Sequence, residues 1–431
     1  MQAERAEITT PEFSEGEGLT PQVARRPHSP PARARGSAAR IAGSGVLVRV
    51  ARTVEQLESF RNVWTEMTRD EVQTDPDYFL WSLRGEPQVL RPHVLAVDRD
   101  GRTDSMLIAR LSRLRLPCKV GYTTVYAPVV RALSVVHKGL LGVEDDVVAD
   151  AVLDELFSGL DQGDADVLLF RQLRRDSRLR EAAQARSGFL TRQRIARTDL
   201  RWRIELPATF DEYLASLSSA SRKGIRRTKS QVEKTLGDRI SVRSFREFAD
   251  LDEYLGDAES IAARTYQRNL GVGFLDDERQ RARARMLMDH GWFRSYVLYL
   301  DGRPVAFEQG EAYRDRFVSV RAGYDPAYSH HRVGAYLLAK AIEDLIEDPQ
   351  FAVFDFGLGD AEYKRKLGHR SIQEGDLVVY ARRARPIRIN LARTGLHGVS
   401  SGVTASLRKM SLLDTSKQWW RQRATRRDRR P

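Results

Sequence analysis

The chain has 431 residues, 41% of them hydrophobic and 30% charged. That is enough for two or three cores in a soluble globular protein, and the single cysteine, Cys118, excludes an intrachain disulfide or a multi-thiolate metal site. The formal charge of +12 is uneven: residues 382–431 carry fourteen Lys and Arg against Asp414 and Asp428, residues 1–45 carry six Arg and five Glu, and residues 46–381 net −1. A near-neutral body makes nucleic acid an unlikely partner for it.

Residues 1–45 are rich in Pro, Ala, Arg, Gly, Ser and Glu and are expected to be disordered, with too few large apolar side chains to offset the entropy of ordering. They lack the apolar segment of a secretory signal, and no later run reaches the roughly 20 apolar residues that span a bilayer, so the expected location is cytoplasmic. Val46–Val50 reads as a strand, and Val54–Met67 as one amphipathic helix with Leu57, Phe60 and Trp64 on its apolar face. Next comes a hairpin around Asp100-Gly101, a helix over Val147–Leu160 and a strand over Ala165–Phe170.

The same order then recurs. A hairpin around Asp301-Gly302 precedes a strand over Phe317–Gly323, a helix opening near His331-Arg332-Val333-Gly334, and a strand over Phe351–Phe356. The pattern predicts an α/β protein (α+β mixed sheet) built from two tandem domains of one topology, 46–205 and 206–384, followed by a basic tail, 385–431. That tail holds Trp419-Trp420 and six later arginines, a composition suited to a solvated extension or to the surface of an anionic membrane.

The repeats differ where their helices open. The first reads Glu144-Asp145-Asp146, carboxylates that favour a helix N-terminus and repel phosphate. The second reads His330-His331-Arg332-Val333-Gly334-Ala335, where unpaired first-turn amides and a residue without Cβ would seat a pyrophosphate. Two further constellations lie in this second repeat. Arg222, Arg226 and Lys229 fall at i, i+4 and i+7, one cationic stripe on a helix that would face a phosphate or carboxylate, or else solvent. After the last strand come Asp355, Asp360, Tyr363 and Lys364: a lysine to stabilise an oxyanion, a tyrosine to protonate a leaving group or hold an acceptor, and Asp355 to take a proton or to cap the next turn. No metal-ligand spacing, P-loop or dinucleotide motif occurs.

With these residues set out, the second repeat resembles the GNAT acyltransferase superfamily, in the branch of the CelD-like and FemAB-like proteins. The matching pieces are Ser221-Arg222-x-x-Ile225-Arg226-Arg227, the hairpin Leu298–Ala306, Gly323-Tyr324-Asp325, Val333-Gly334-x-x-Leu337-Leu338, and Asp355-Phe356-Gly357-x-Gly359-Asp360-x-x-Tyr363-Lys364. The resemblance implies tandem GNAT folds, and the contrast between the two helix starts puts the donor site only in the second. It implies an acyl-CoA co-substrate, acetyl-CoA being the simplest, whose pyrophosphate meets His331 to Ala335, and no metal. Lys364 would match a lysine that stabilises the acyl carbonyl, and Arg226 a basic residue facing a phosphate-bearing acceptor. His331 and Tyr336 depart from the usual acyl-CoA pattern of Gln or Arg, two residues, Gly, one residue, then Gly or Ala.

The expected function is acyl transfer to an amine or hydroxyl of a sugar or cell-envelope precursor, with Arg222, Arg226, Lys229 and Asp360 on the acceptor. Two alternatives are a FemAB-like transferase using aminoacyl-tRNA and a silent scaffold in polysaccharide assembly, held at the inner face of the membrane by the tail.

Overall fold

The computed structural model describes residues 39–41, 46–68, 71–120, 123–194, 198–265 and 274–409. Almost all of the expected disordered segment, and the tail beyond Lys409 with Trp419 and Trp420, lie outside these residues. The described chain divides into two compact units, one centred on residues up to Thr198 with Gly375–Lys409, the other on Asp199–Glu374.

In the first unit, strands β1 (Ala39–Ile41), β2 (Leu47–Ala51), β3 (Val89–Arg99), β4 (Arg102–Arg115), β7 (Val129–Gly142) and β8 (Val167–Arg174) lie side by side in that order, while β5 (Cys118–Val120) and β6 (Thr123–Tyr126) form a separate hairpin. All neighbours from β1 to β7 run antiparallel, and β7 and β8 are parallel. The β3–β4 turn needs left-handed backbone at both central residues, and Asp100 (φ 52°) and Gly101 (φ 77°) provide it. The parallel pair requires a crossover, supplied by the helix Asp146–Asp161, whose Val148, Val152, Leu156 and Leu160 are buried against the sheet.

The single helix expected over Val54–Met67 is two, Val54–Glu58 and Arg61–Met67. Ser59 Oγ donates to the Gln56 carbonyl (2.7 Å), a local bond that competes with the helical ladder. The break still leaves Leu57, Phe60 and Trp64 in one cluster. The start of the expected tail is helical, Ala384–Lys409. It packs on the first unit through buried Ile389, through Asn390 Nδ2 donating to the carbonyls of Leu190 (2.9 Å) and Arg192 (3.0 Å), and through Arg393 donating to Tyr380 Oη (2.7 Å). Among the described residues no helix is long and apolar enough to cross a membrane.

In the second unit the order is β15 (Arg370–Tyr380, by its first half to Glu374), β9 (Asp199–Glu205), β14 (Val353–Leu358), β13 (Arg316–Tyr324), β12 (Arg303–Tyr313), β11 (Phe293–Leu300) and β10 (Ile240–Phe245). Only β13 and β14 are parallel. Their crossover is the helix Val333–Glu347, which buries Val333, Leu337, Ala341, Ile342 and Leu345 against Tyr296, Leu298, Phe317 and Phe354. Each of these Val, Leu and Ile side chains taken fully out of water contributes about 1.5–3 kcal/mol, which makes this stripe the main anchor of the helix. Asp301 (φ 51°) and Gly302 (φ 73°) repeat the turn of the first unit. Both units therefore run an antiparallel meander into β-α-β, as the internal repeat predicts.

Candidate active site

The parallel pair β13 and β14 is joined only over Arg316–Val318 and Val353–Asp355, and beyond that the strands part. β13 continues to Tyr324 paired with β12 alone, across a register shift at Gln309/Gly310. β14 bends away through Gly357 (φ 69°) and Gly359 (φ 115°), with its own shift against β9. Gly357 is required twice over: its φ is left-handed, and a Cβ there would lie 3.0 Å from the Ser319 carbonyl oxygen. The outcome is a wedge in the sheet whose β13 side offers a backbone edge with no strand beside it among the described residues.

At the head of the wedge lies Glu308 of β12, a residue the sequence reading passed over. It is 5% exposed, accepts a hydrogen bond from Ser319 Oγ of β13, and burial pushes its carboxyl up to about 7 against the pull of the nearby Lys364 ammonium. The one sequence signal was a polar run, Glu308-Gln309-Gly310-Glu311, inside a strand buried on both faces from Val305 to Tyr313.

Lys364 is 8% exposed, and its Nζ donates to the carbonyls of Phe356 (2.8 Å), Leu358 (3.3 Å) and Gly357 (3.4 Å). Three donors therefore meet three acceptors. The ammonium pins the bent end of β14 and acts on its surroundings as a charge, and no N–H is left to point at an oxyanion, the role expected of it. Desolvation lowers its pKa, opposed by Asp355 and then Glu308. Tyr363 stands edge-on to Phe356 (6.0 Å between centroids), and its phenol is raised above its ordinary value by desolvation first and by Glu308 second.

Asp355 has a structural task. It is 1% exposed, receives Arg201 Nε (2.7 Å) and Arg203 Nε (2.9 Å) from β9, and accepts from the Gly357 amide (2.8 Å). A carboxylate between two guanidiniums favours its charged form and makes a poor proton acceptor, so of the two tasks open to Asp355 the capping of the turn is the one its contacts serve. Asp360 accepts from Trp202 Nε1 (3.0 Å) and Arg365 Nε (2.9 Å).

The basic stripe forms on the helix Ser219–Leu236, but it is engaged within the fold. Arg222 donates to the carbonyls of Leu214 (2.9 Å), Ala215 (3.1 Å) and Leu217 (3.2 Å), closing the preceding helix, and Lys229 pairs with Glu343 (2.7 Å). Arg226 is exposed and reaches Asp211 at 3.4 Å. A surface cleft beside the start of that helix is lined by Ser218, Ser221, Arg365, Lys366 and His369, with Arg365 and Lys366 paired to Asp360 and Glu362.

The mouth of the helix Val333–Glu347 lies on the chain between the two strands of the wedge. No side chain caps it; Arg332 (φ 56°) precedes it in left-handed conformation, and a short 3-10 segment, Pro326–His331, leads in with the rings of His330 and His331 3.9 Å apart. The imidazole of His331 is held below its usual value by desolvation and then by His330 and Arg239. Arg332 and Ala335 are exposed, while Val333 is fully buried and serves the core. The site of a Cβ on Gly334 would meet the Tyr324 ring at 3.1 Å, so this glycine makes room for Tyr324, itself 46% exposed. Tyr336 turns inward, buried, with its hydroxyl 3.4 Å from Glu233. The corresponding helix of the first unit is capped by its own carboxylate, Asp145 accepting from the Val148 amide (2.8 Å) and bound to Arg99 (2.9 Å).

Residues 219–365 match the family model described as an acetyltransferase (GNAT) domain. That stretch lies wholly within the second unit and covers most of it. No curated protein matches the chain. Among solved structures, FemX superposes at a TM-score of 0.53 with 11% identity, over 78% of this chain and 98% of its own. A tandem GNAT protein from the clavulanic acid biosynthesis pathway gives 0.46 with 14% identity, over 78% and 99%. The C-terminal domain of a putative lysylphosphatidylglycerol synthetase from Agrobacterium fabrum gives 0.46 with 11% identity, over 79% and 97%. At 11% identity the likeness to FemX is one of fold.

Proposed function

We propose that the GNAT domain transfers an acyl group, acetyl in the simplest case, from acyl-CoA to an amine or hydroxyl of a small-molecule or glycan acceptor such as a sugar or cell-envelope precursor. The observation that carries this reading is Glu308, a buried carboxyl poised near neutrality at the head of a wedge in the sheet. A base with that pKa is half ionised at working pH and strong enough to accept a proton from an acceptor under attack. Glu308 takes the proton that the acceptor nitrogen or oxygen sheds as it bonds to the thioester carbonyl carbon, the C–S bond breaks, and the same proton is available to the departing thiolate. No covalent enzyme intermediate is involved.

The donor fits the mouth of the helix Val333–Glu347. Its first-turn amides have no capping side chain, and Arg332, His330 and His331 supply positive or donor groups for a diphosphate. The open edge of β13 beyond Val318 provides backbone donors and acceptors for the chain that links diphosphate to thioester. Lys364 acts through its charge and by fixing the Phe356–Leu358 carbonyls, so the oxyanion falls to backbone amides of the wedge. The reading places the reaction in the cytoplasm.

Isothermal titration with acetyl-CoA, followed by an assay of CoA release across amine and sugar acceptors, tests this function. A transferase binds acetyl-CoA, and Glu308→Gln retains that binding while losing turnover. Absence of acetyl-CoA binding would overturn it and leave the fold as a scaffold.

A further inference from the structure

Three segments of the first unit, residues 113–131, 188–194 and 382–398, hold eleven Lys and Arg and no Asp or Glu. Tertiary contacts bring them together around the helix Ala384–Lys409. Arg385 donates to the Val129 carbonyl (2.6 Å) at the start of β7, the β5–β6 hairpin packs on the helix through β5, and Asn390 holds the carbonyls of Leu190 and Arg192. Arg113, Arg115, Arg192 and Arg388 are exposed and form no ion pair among the described residues. Asp166, which is buried, answers Arg383 (3.3 Å) and Arg385 (3.4 Å).

The same three segments carry apolar side chains that the fold leaves in water. Phe189 is 75% exposed and Val125 60%, and Tyr126, Val129, Leu190 and Leu391 are exposed as well. Arg194 lies over the Phe189 ring, its guanidinium 3.8 Å from the centroid. Arg388 and Leu391 stand one turn apart on the side of the helix facing away from the buried Ile389 and Asn390. Apolar residues exposed singly are ordinary. Six gathered around one helix, in segments that hold arginines and no carboxylate, mark a contact surface.

We propose that this face of the first unit docks on the surface of an anionic lipid bilayer. The arginines meet the negative surface potential, where each basic residue within reach strengthens binding by about 5-fold. Phe189, Tyr126 and the aliphatic side chains enter the boundary between headgroups and acyl chains. Nucleic acid would use the arginines and the two rings but gain little from Val125, Val129, Leu190 and Leu391, because bases stack on flat surfaces. The sequence continues the same chemistry beyond the helix: the 22 residues after Lys409 include Trp419-Trp420 and six later arginines. A folded face and a basic segment acting together give stable attachment where one weak signal alone gives rapid exchange.

Sedimentation of the full chain with vesicles tests this. Phosphatidylcholine vesicles containing about 30% phosphatidylglycerol should carry the protein down at about 0.1 M salt and less of it at about 0.5 M, where the surface potential is screened. Pure phosphatidylcholine vesicles should bind at least about 10-fold more weakly. Arg192→Gln with Arg388→Gln should weaken binding to the anionic vesicles about 25-fold, two basic contacts at about 5-fold each. Phe189→Ser with Val125→Ser should weaken it about 10-fold by removing apolar side chains from the boundary. All four positions are exposed, so thermal melts of both variants should match the wild type and separate lost docking from lost folding. Weakened binding in either variant sustains the proposal. No binding to the anionic vesicles, equal binding to both vesicle types, or full binding by both variants, even if Trp419→Ala with Trp420→Ala loses it, would overturn it. Binding to total tRNA that both variants weaken, with no vesicle binding, would overturn it too and assign the face to nucleic acid.

Discussion

Replacing Glu308 by glutamine should make the protein inactive and, above neutral pH, more stable. The carboxyl has an ordinary value of 4.5 and is raised to about 7 in the fold by burial. A shift of that size corresponds to about 3 kcal/mol. The sign follows from proton binding: the folded state holds this proton more tightly than the unfolded chain, so its contribution is fully present below about pH 4.5 and is lost as pH rises through about 7. Glutamine keeps the shape and can still accept from Ser319, but it never ionises. Urea denaturation of both proteins should therefore give similar stabilities at pH 5 and an advantage for Glu308→Gln approaching about 3 kcal/mol at pH 8. Turnover should move the other way, falling about 10²- to 10⁴-fold as expected for a lost general base. The wild-type kcat/KM profile should carry an acidic limb near 7 that the variant lacks. A variant that is less stable at pH 8, or that keeps its turnover, would refute both the burial argument and the base assignment.

Lys364→Met should shift that acidic limb upward, because the ammonium helps Glu308 to ionise, and should weaken the fold by leaving three β14 carbonyls without their donor; pH profiles and urea midpoints read the two effects. Asp355→Asn should destabilise by about 3–5 kcal/mol by uncoupling the buried Arg201 and the nearby Arg203, with activity per folded molecule retained. Loss of turnover without loss of stability would restore Asp355 as a base. Gly310→Ala should cost about 1–3 kcal/mol, since the new methyl would stand 2.1 Å from the fully buried Phe317 ring, and a thermal melt measures it.

The elements that were legible in the sequence are those whose signal is local. Asp100-Gly101 and Asp301-Gly302 each announce a two-residue hairpin because few other pairs take two left-handed residues in succession. The crossover helices announce themselves by Val148, Val152, Leu156 and by Val333, Leu337, Ala341, apolar at helical spacing. The break at Ser59 was hidden because the periodicity of Leu57, Phe60 and Trp64 survives it, and only a side-chain bond to Gln56 marks it. The stripe of Arg222, Arg226 and Lys229 is legible in its i, i+4, i+7 spacing on one helix. Its partners were invisible: the Leu214, Ala215 and Leu217 carbonyls and Glu343 come to it through tertiary packing.

The site shows the same division more sharply. A motif such as Asp355-x-Gly357-x-Gly359 with Lys364 points to a bent strand end, and the bend is there, but the motif alone does not say which of its charges are left for chemistry. Burial and pairing decide that. Asp355 finds two arginines and Lys364 finds three carbonyls, so both are consumed in holding the wedge open, whereas Glu308 finds one hydroxyl and a low-polarity surrounding that keeps its proton near neutral pH. A group tightly satisfied in one ionisation state cannot readily exchange protons, and a group left poised between two states can. The residues that a motif makes conspicuous build the wedge, and the inconspicuous carboxyl in the middle of β12 is the one fitted to work in it.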